Sequence, residues 1–292
     1  MRNPSQKPIV KSFFDPDTNT ITHVVHEEVS REAMIFDPVL DYCAASGRTN
    51  TKSADVLIEY IKSTDLTTKY IIETHAHADH LSSAPYLKEK LGGQTMIGAD
   101  IDAVQKVFGK VFNAGKTFAT NGSQFDVLPA DGDTFMLGDL KVTAIHTPGH
   151  TPACMSYHIG DAVFVGDTLF MPDFGTARCD FPGGSAKTLY TSIQKLFALP
   201  DETRVFLCHD YKAPGRDKFA WETTIGEEKR SNKHVGGSAD MASFVKMRTE
   251  RDAELGMPKL ILPSVQVNMR AGEFPPADDN GTVYLKIPLN AL

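Results

Sequence analysis

A chain of 292 residues with 41% hydrophobic content can bury a substantial core, as one large domain or two modest ones. Its net charge of −7 and lack of a long basic block argue against nucleic acid as the main partner, because phosphate binding relies on clustered Lys and Arg. The amino terminus has no apolar signal core and no run approaches the roughly 18 apolar residues of a membrane span, so a cytoplasmic protein acting on a small molecule is expected.

Residues 9–14 and 20–25 read as strands around Asp15-Pro16-Asp17-Thr18-Asn19, a hairpin connection, and 33–36 as a third strand. A helix is expected from Ser53, a competent N-cap, with Val56, Leu57, Tyr60 and Ile61 on one face. The strand at 69–73 then delivers Thr74-His75-Ala76-His77-Ala78-Asp79-His80. Three of the ten histidines fall within six positions, beside a carboxylate, so this is a ligand turn. A helix at 84–91 stopped by Gly92-Gly93, a strand at 95–97 and a helix at 100–108 continue a βαβ rhythm, whereas 109–124 has little periodicity and reads as a surface loop. A hairpin at 135–137 and 140–145 around Gly138-Asp139 runs into His146-Thr147-Pro148-Gly149-His150-Thr151. Strands at 155–159 and 162–165 deliver Gly166-Asp167, and after a helix at 185–199 the strand at 204–208 ends at His209-Asp210-Tyr211. Beyond residue 212 come turn-rich pieces, a helix at 239–255 and a β-type run at 283–287. With no linker or repeat, 236–292 is expected to be a carboxy-terminal extension packed on the same core as a domain over 1–235.

Each special polar group sits where a strand stops. The candidate metal ligands are His75, His77, Asp79, His80, His150, Asp167 and His209, a carboxylate and imidazole set without thiolates that suits zinc, iron or manganese. The alternation in the turn cannot aim every group at one ion, so two neighbouring sites are natural: His75, His77 and His150 for one, Asp79, His80 and His209 for the other, with Asp167 able to bridge. His23, His26, His146, His158 and His234 have no partner pattern and read as structural or exposed. The four cysteines, Cys43, Cys154, Cys179 and Cys208, lack CxxC spacing and fit reduced, packed thiols.

The THAHADH, TPGHT, VGD and CHDY segments, in this order and between these strands, resemble the metallo-β-lactamase superfamily over roughly residues 9–235. The resemblance implies a four-layer αββα sandwich of the mixed α/β (α+β) class with its metal site at one edge. Within that superfamily the chain looks most like the glyoxalase II branch, and there like persulfide dioxygenases, through the segment FMPDFGTARCDF at 170–181 and His209-Asp210-Tyr211. That similarity implies one Fe(II) held by His75, His150 and Asp167, with glutathione persulfide and O2 as substrates and sulfite and glutathione as products. A two-His, one-carboxylate face leaves three positions on iron open. His77, Asp79, His80 and His209 would then orient ligands or relay protons. Zinc would instead lower the pKa of a bound water toward roughly 7 and serve a glyoxalase II-like dinuclear thioester hydrolase, the alternative for which the full ligand set is present. Glutathione carries carboxylates, and Arg178, Tyr211 and Arg230 are the candidates to hold them. Cys179, where these dioxygenases most often carry Thr, is either a redox-sensitive thiol or packing. A superfamily nuclease is disfavoured by the acidic balance and a non-catalytic sensor by the intact ligand set; a second copy of the chain, as a homodimer, is the one macromolecular partner kept in view.

Overall fold

In the computed structural model, which describes residues 7–291, β1 (Ile9–Asp15) and β2 (Thr20–His26) form the expected antiparallel hairpin, its turn tied by Asp15 Oδ2 accepting from the Thr18 backbone and hydroxyl. The amino-terminal reading of residues 1–6 lies outside the described residues. β3 (Glu32–Phe36) pairs antiparallel with β2; β4 (Val39–Cys43) and β5 (Arg48–Asn50) follow as a short hairpin that apolar patterning does not announce. α1 (Lys52–Ser63) starts after Thr51, and Ser53 lies inside it, donating from its backbone and hydroxyl to Asp41. Its buried stripe of Ala54, Leu57, Ile58 and Ile61 includes two of the expected residues, Leu57 and Ile61, with Tyr60 packed beside them; the helix meets the sheet along i, i+3, i+4, i+7 from Ala54, which leaves Val56 51% exposed.

β6 (Thr67–Ile72) runs parallel to β3, β7 (Leu81–Ser82) pairs with β4, and α2 (Ala84–Leu91) leads to β8 (Gln94–Met96), parallel to β6, and then α3 (Ile101–Val111). The second half repeats the design with β9 (Thr134–Leu137), β10 (Leu140–His146), β11 (Met155–Ile159), β12 (Ala162–Phe164), α4 (Ala186–Phe197) and β13 (Arg204–Phe206). β14 (Glu222–Thr224) and α5 (Ile225–Ser231) precede α6 (Met241–Asp252) and α7 (Ile261–Asn268). One sheet has the order β1-β2-β3-β6-β8 and the other β14-β13-β12-β11-β10-β9.

Alternation along the strands decides the layering. Val25, Met34, Phe36 and Ile72 of the first sheet face Val142, Tyr157, Phe164 and Phe206 of the second in one core, with Phe36 stacked on Phe164 at 4.6 Å between centroids. Val24, Ile35 and Ile71 on the other face bury against Leu57, Ile61 and Leu87 of α1 and α2, and Val163 and Val205 against Leu189 and Ile193 of α4 and Phe244 of α6. The result is a four-layer αββα sandwich. Ile261, Val265 and Met269 of α7 and its end pack with Ile101, Val104 and Phe108 of α3.

The expected strand at 283–287 does not form. This stretch meets the body through Lys286, whose backbone exchanges hydrogen bonds with the Gln266 side chain, and through Leu285; with no neighbouring strand to complete a ladder, Val283 and Ile287 stay exposed. Among the described residues no helix is long and apolar enough to cross a membrane.

Candidate metal centre

The two sheets are joined along one edge, where Ile21 N–H donates to the Cys208 carbonyl at 2.7 Å and His23 Nε2 meets the Leu207 carbonyl at 2.9 Å. The strand-end loops converge beside this seam. The 74–80 turn is almost wholly buried, with His75, His77 and His80 at 0–1% exposure. A polar residue can be buried there only if its hydrogen bonds are met, and Asp37 meets several. Asp37, in the left-handed region at φ 51°, follows β3 and accepts from Thr74 N–H at 2.7 Å and from His77 Nε2 at 2.8 Å. Burial disfavours a charged His77, but the Asp37 charge and hydrogen bond, with Glu73 at 3.3 Å, hold its imidazolium well above the usual histidine range.

Two glycines let the neighbouring turns approach this closely. Gly149 has φ 137°, and a Cβ there would lie 2.4 Å from the Leu189 backbone at the start of α4; Gly166 has φ 51°, and its Cβ would lie 2.5 Å from Thr74 Oγ1. They set His150 and Asp167 beside His75. His75 Nε2 is 3.9 Å and His150 Nε2 3.7 Å from Asp167 Oδ2, so these three residues form one group of donor atoms within 4.8 Å of each other. His77, Asp79, His80 and His209 form another. This differs from the expected partition of His75, His77 and His150: the Asp37 and Glu73 carboxylates hold His77 by Nε2, which leaves its Nδ1 in the second group.

All five imidazoles are built alike. One ring nitrogen faces an outer partner: His75 Nδ1 the Thr74 hydroxyl, His77 Nε2 Asp37, His80 Nδ1 the Thr20 hydroxyl, His150 Nδ1 the Arg178 carbonyl and His209 Nδ1 the Asn19 carbonyl. The inner atoms, His150 Nε2 excepted, are orphaned. His75 Nε2, His77 Nδ1, Asp79 Oδ2, His80 Nε2, Asp167 Oδ1 and His209 Nε2 are buried without a hydrogen-bond partner. A buried orphan costs about 1–3 kcal/mol, so six converging ones are a poor arrangement for a protein alone and a fitting one for cation ligands. Asp79 Oδ2 and His209 Nε2 lie 3.0 Å apart without the alignment of a hydrogen bond. Burial and the like charges of His77 and His150 hold His75 well below the usual range, keeping its Nε2 lone pair free, whereas Asp79 and Asp167 outweigh burial and raise His209 to about 9. Cys208 also comes within reach of Asp167 and His209, but burial and the nearby carboxylates push its thiol well up, away from the ligating thiolate.

A cavity of about 690 Å³ opens over His150, Asp167 and Asp79. Phe170, Phe174 and Tyr211 form an aromatic wall, with Phe174 and Tyr211 centroids 5.2 Å apart. Tyr211, 42% exposed, brings a phenol to this wall. Arg178 lines the wall, but its guanidinium is engaged by Asp180 and the Gly256 carbonyl. Arg230 does not line the cavity and pairs with Glu227 at 3.0 Å, one turn away on α5. The cations left at the rim are Arg251 and Lys259, both exposed and, among the described residues, without a carboxylate within 4 Å; Arg251 lies in the last turn of α6 and Lys259 just before α7, and no motif marks them. His234, expected to be structural or exposed, also lines the cavity, its Nδ1 accepting from Thr176 N–H at 3.0 Å while burial and Arg248 lower it to about 3. Cys179 is buried, and burial pushes its thiol far above the usual value; this favours packing over the redox-sensitive thiol.

The sequence profile described as the metallo-beta-lactamase superfamily matches residues 30–209. A relative named glyoxylase B2 from Dictyostelium discoideum is 51% identical, over 99% of this chain and 99% of its own. Human mitochondrial persulfide dioxygenase ETHE1 is 31% identical, over 90% of this chain and 89% of its own. The crystal structure of ETHE1 from Myxococcus xanthus superposes with a TM-score of 0.72 at 32% identity, over 91% of this chain and 100% of that one.

Proposed function

The chain belongs to the metallo-β-lactamase superfamily, and from that premise we propose that it is an iron-dependent dioxygenase that converts glutathione persulfide, O2 and water into glutathione, sulfite and two protons. The observation that carries this reading is that His75, His150 and Asp167 come together as a two-His, one-carboxylate set, two members of which, His150 and Asp167, line the cavity. The likeness to persulfide dioxygenase ETHE1 in sequence and fold supports it. Fe(II) held by these three residues would supply open positions and one-electron chemistry with O2.

The remaining work falls to the chain itself. The Thr74 hydroxyl and the Arg178 carbonyl fix the His75 and His150 rings, and His209 Nε2 stands 3.4 Å from Asp167 Oδ1, beside that carboxylate. Phe170 and Phe174 keep water from one side of the sulfur, Tyr211 offers a hydroxyl, and Arg251 and Lys259 offer charge to the substrate carboxylates. Four free thiols fit a cytoplasmic setting.

A second reading, a dinuclear thioester hydrolase, is favoured by the orphaned atoms of His77, Asp79, His80 and His209 and by the relative named glyoxylase B2. Iron-loaded protein given glutathione persulfide should consume O2 and release sulfite. Two metals per chain with hydrolysis of S-lactoylglutathione, and no O2 uptake, would replace the first reading by the second.

A further inference from the structure

The peptide group joining Arg178 to Cys179 is held from both sides. Its carbonyl accepts from His150 Nδ1 at 2.7 Å, which places the ring proton on Nδ1, and its N–H donates to Asp252 Oδ2 at 2.8 Å. Asp252 closes α6 and is 8% exposed. Its other oxygen accepts from Arg248 Nε at 2.9 Å and pairs with the Nη2 charge at 2.6 Å, while Arg248 Nη1 donates to the Thr176 carbonyl at 3.2 Å. Arg248, at 2%, is among the largest fully buried side chains described. A buried ion pair is weak evidence for stability, because desolvation offsets its attraction. The placement of this one, beneath the peptide whose carbonyl bonds the His150 ring, suits another role.

We propose that Asp252, held by Arg248, is a positioning residue for the metal ligand His150, acting through the Arg178–Cys179 peptide. Metal-bound imidazoles commonly donate their second N–H to a carboxylate, which fixes ring and tautomer and raises ligand basicity. Here the carboxylate sits one peptide further out. An anion on the peptide N–H polarises the amide, and the carbonyl at its other end becomes a stronger acceptor for His150 Nδ1–H. Arg248 keeps the carboxylate from swinging away and ties the loop at Thr176, so the peptide is clamped on both flanks. The end of α6 thereby reaches His150 through one amide.

The inference depends on His150 being a ligand, as proposed above, and the test separates the two. In the full-length, zinc-loaded protein, ¹H–¹⁵N spectra would follow the His150 ring nitrogens, and competition with a chelating dye would give zinc affinity. Asp252→Asn keeps an acceptor oxygen and removes the charge; Arg248→Met with Asp252→Leu replaces the pair by apolar side chains and is the partner variant should burying an unpaired amide perturb folding. Both should move the Nδ1–H proton upfield, leave His75 where it was, and weaken zinc by about tenfold or more. Folded variants with an unmoved His150 resonance and unchanged affinity would overturn the positioning role. A His150 Nε2 that does not shift when zinc is added to the unaltered protein would instead remove His150 as a ligand, and the inference with it.

Discussion

Glu228 provides a stability prediction that does not depend on the metal. It lies in α5 at 0% exposure; Asn232 Nδ2 donates to its Oε2 at 2.6 Å, while Oε1 has no partner. Burial outweighs the Asn232 bond and raises its pKa from 4.5 to about 8. The folded chain therefore keeps a proton that the unfolded chain releases above about 4.5. For a raised acid the sign is fixed: stability falls as pH climbs through the unfolded value and levels off above the folded one. Each unit between is worth about 1.4 kcal/mol, so by pH 7 the penalty is about 3 kcal/mol, most of it gained above pH 4.5. Glu228→Gln mimics the protonated acid, its amide taking the place of the partnerless oxygen. Urea unfolding of metal-free protein should show variant and parent alike near pH 4.5, with the variant gaining about 3 kcal/mol by pH 7. A constant difference between the two across that range would refute the buried, protonated assignment.

Three further outcomes follow from the site. Arg251→Ala and Lys259→Ala should each raise KM for glutathione persulfide about tenfold with little change in kcat in O2-uptake assays, and the loss should shrink as salt rises, since these rim charges are exposed. His150→Ala should abolish stoichiometric iron by elemental analysis, whereas His77→Ala should retain about one iron per chain; loss of all metal from both variants would count against the mononuclear assignment. Gly149→Ala forces a Cβ to within 2.4 Å of the α4 backbone at a positive φ, and should lower stability by about 2–4 kcal/mol, read as a fall in the thermal midpoint.

Residue order alone made much of this protein legible. The hairpins at β1–β2, β9–β10 and β11–β12, the helix at 84–91 and the heptapeptide at a strand end all follow from local rules, because a period of two, a turn residue and a stop glycine act within a few positions. The four segments that carry the superfamily likeness also stand at strand ends, and through that likeness the αββα sandwich and a cluster of His and Asp donors at its edge could be read in advance.

What only the tertiary structure decided is which partner each polar group has. The carboxylate that claims His77 is Asp37, forty residues earlier, and it comes from a neighbouring strand end. The charge of Arg178 is matched by Asp180 and that of Arg230 by Glu227, while Arg251 and Lys259 remain free at the rim. Likewise, the apolar run at 283–287 has strand propensity but no neighbouring edge to pair with. Propensity and motif are short-range properties; ladder pairing and the aim of an imidazole are settled by groups far away in the chain, brought together only when the two sheets close on their common core.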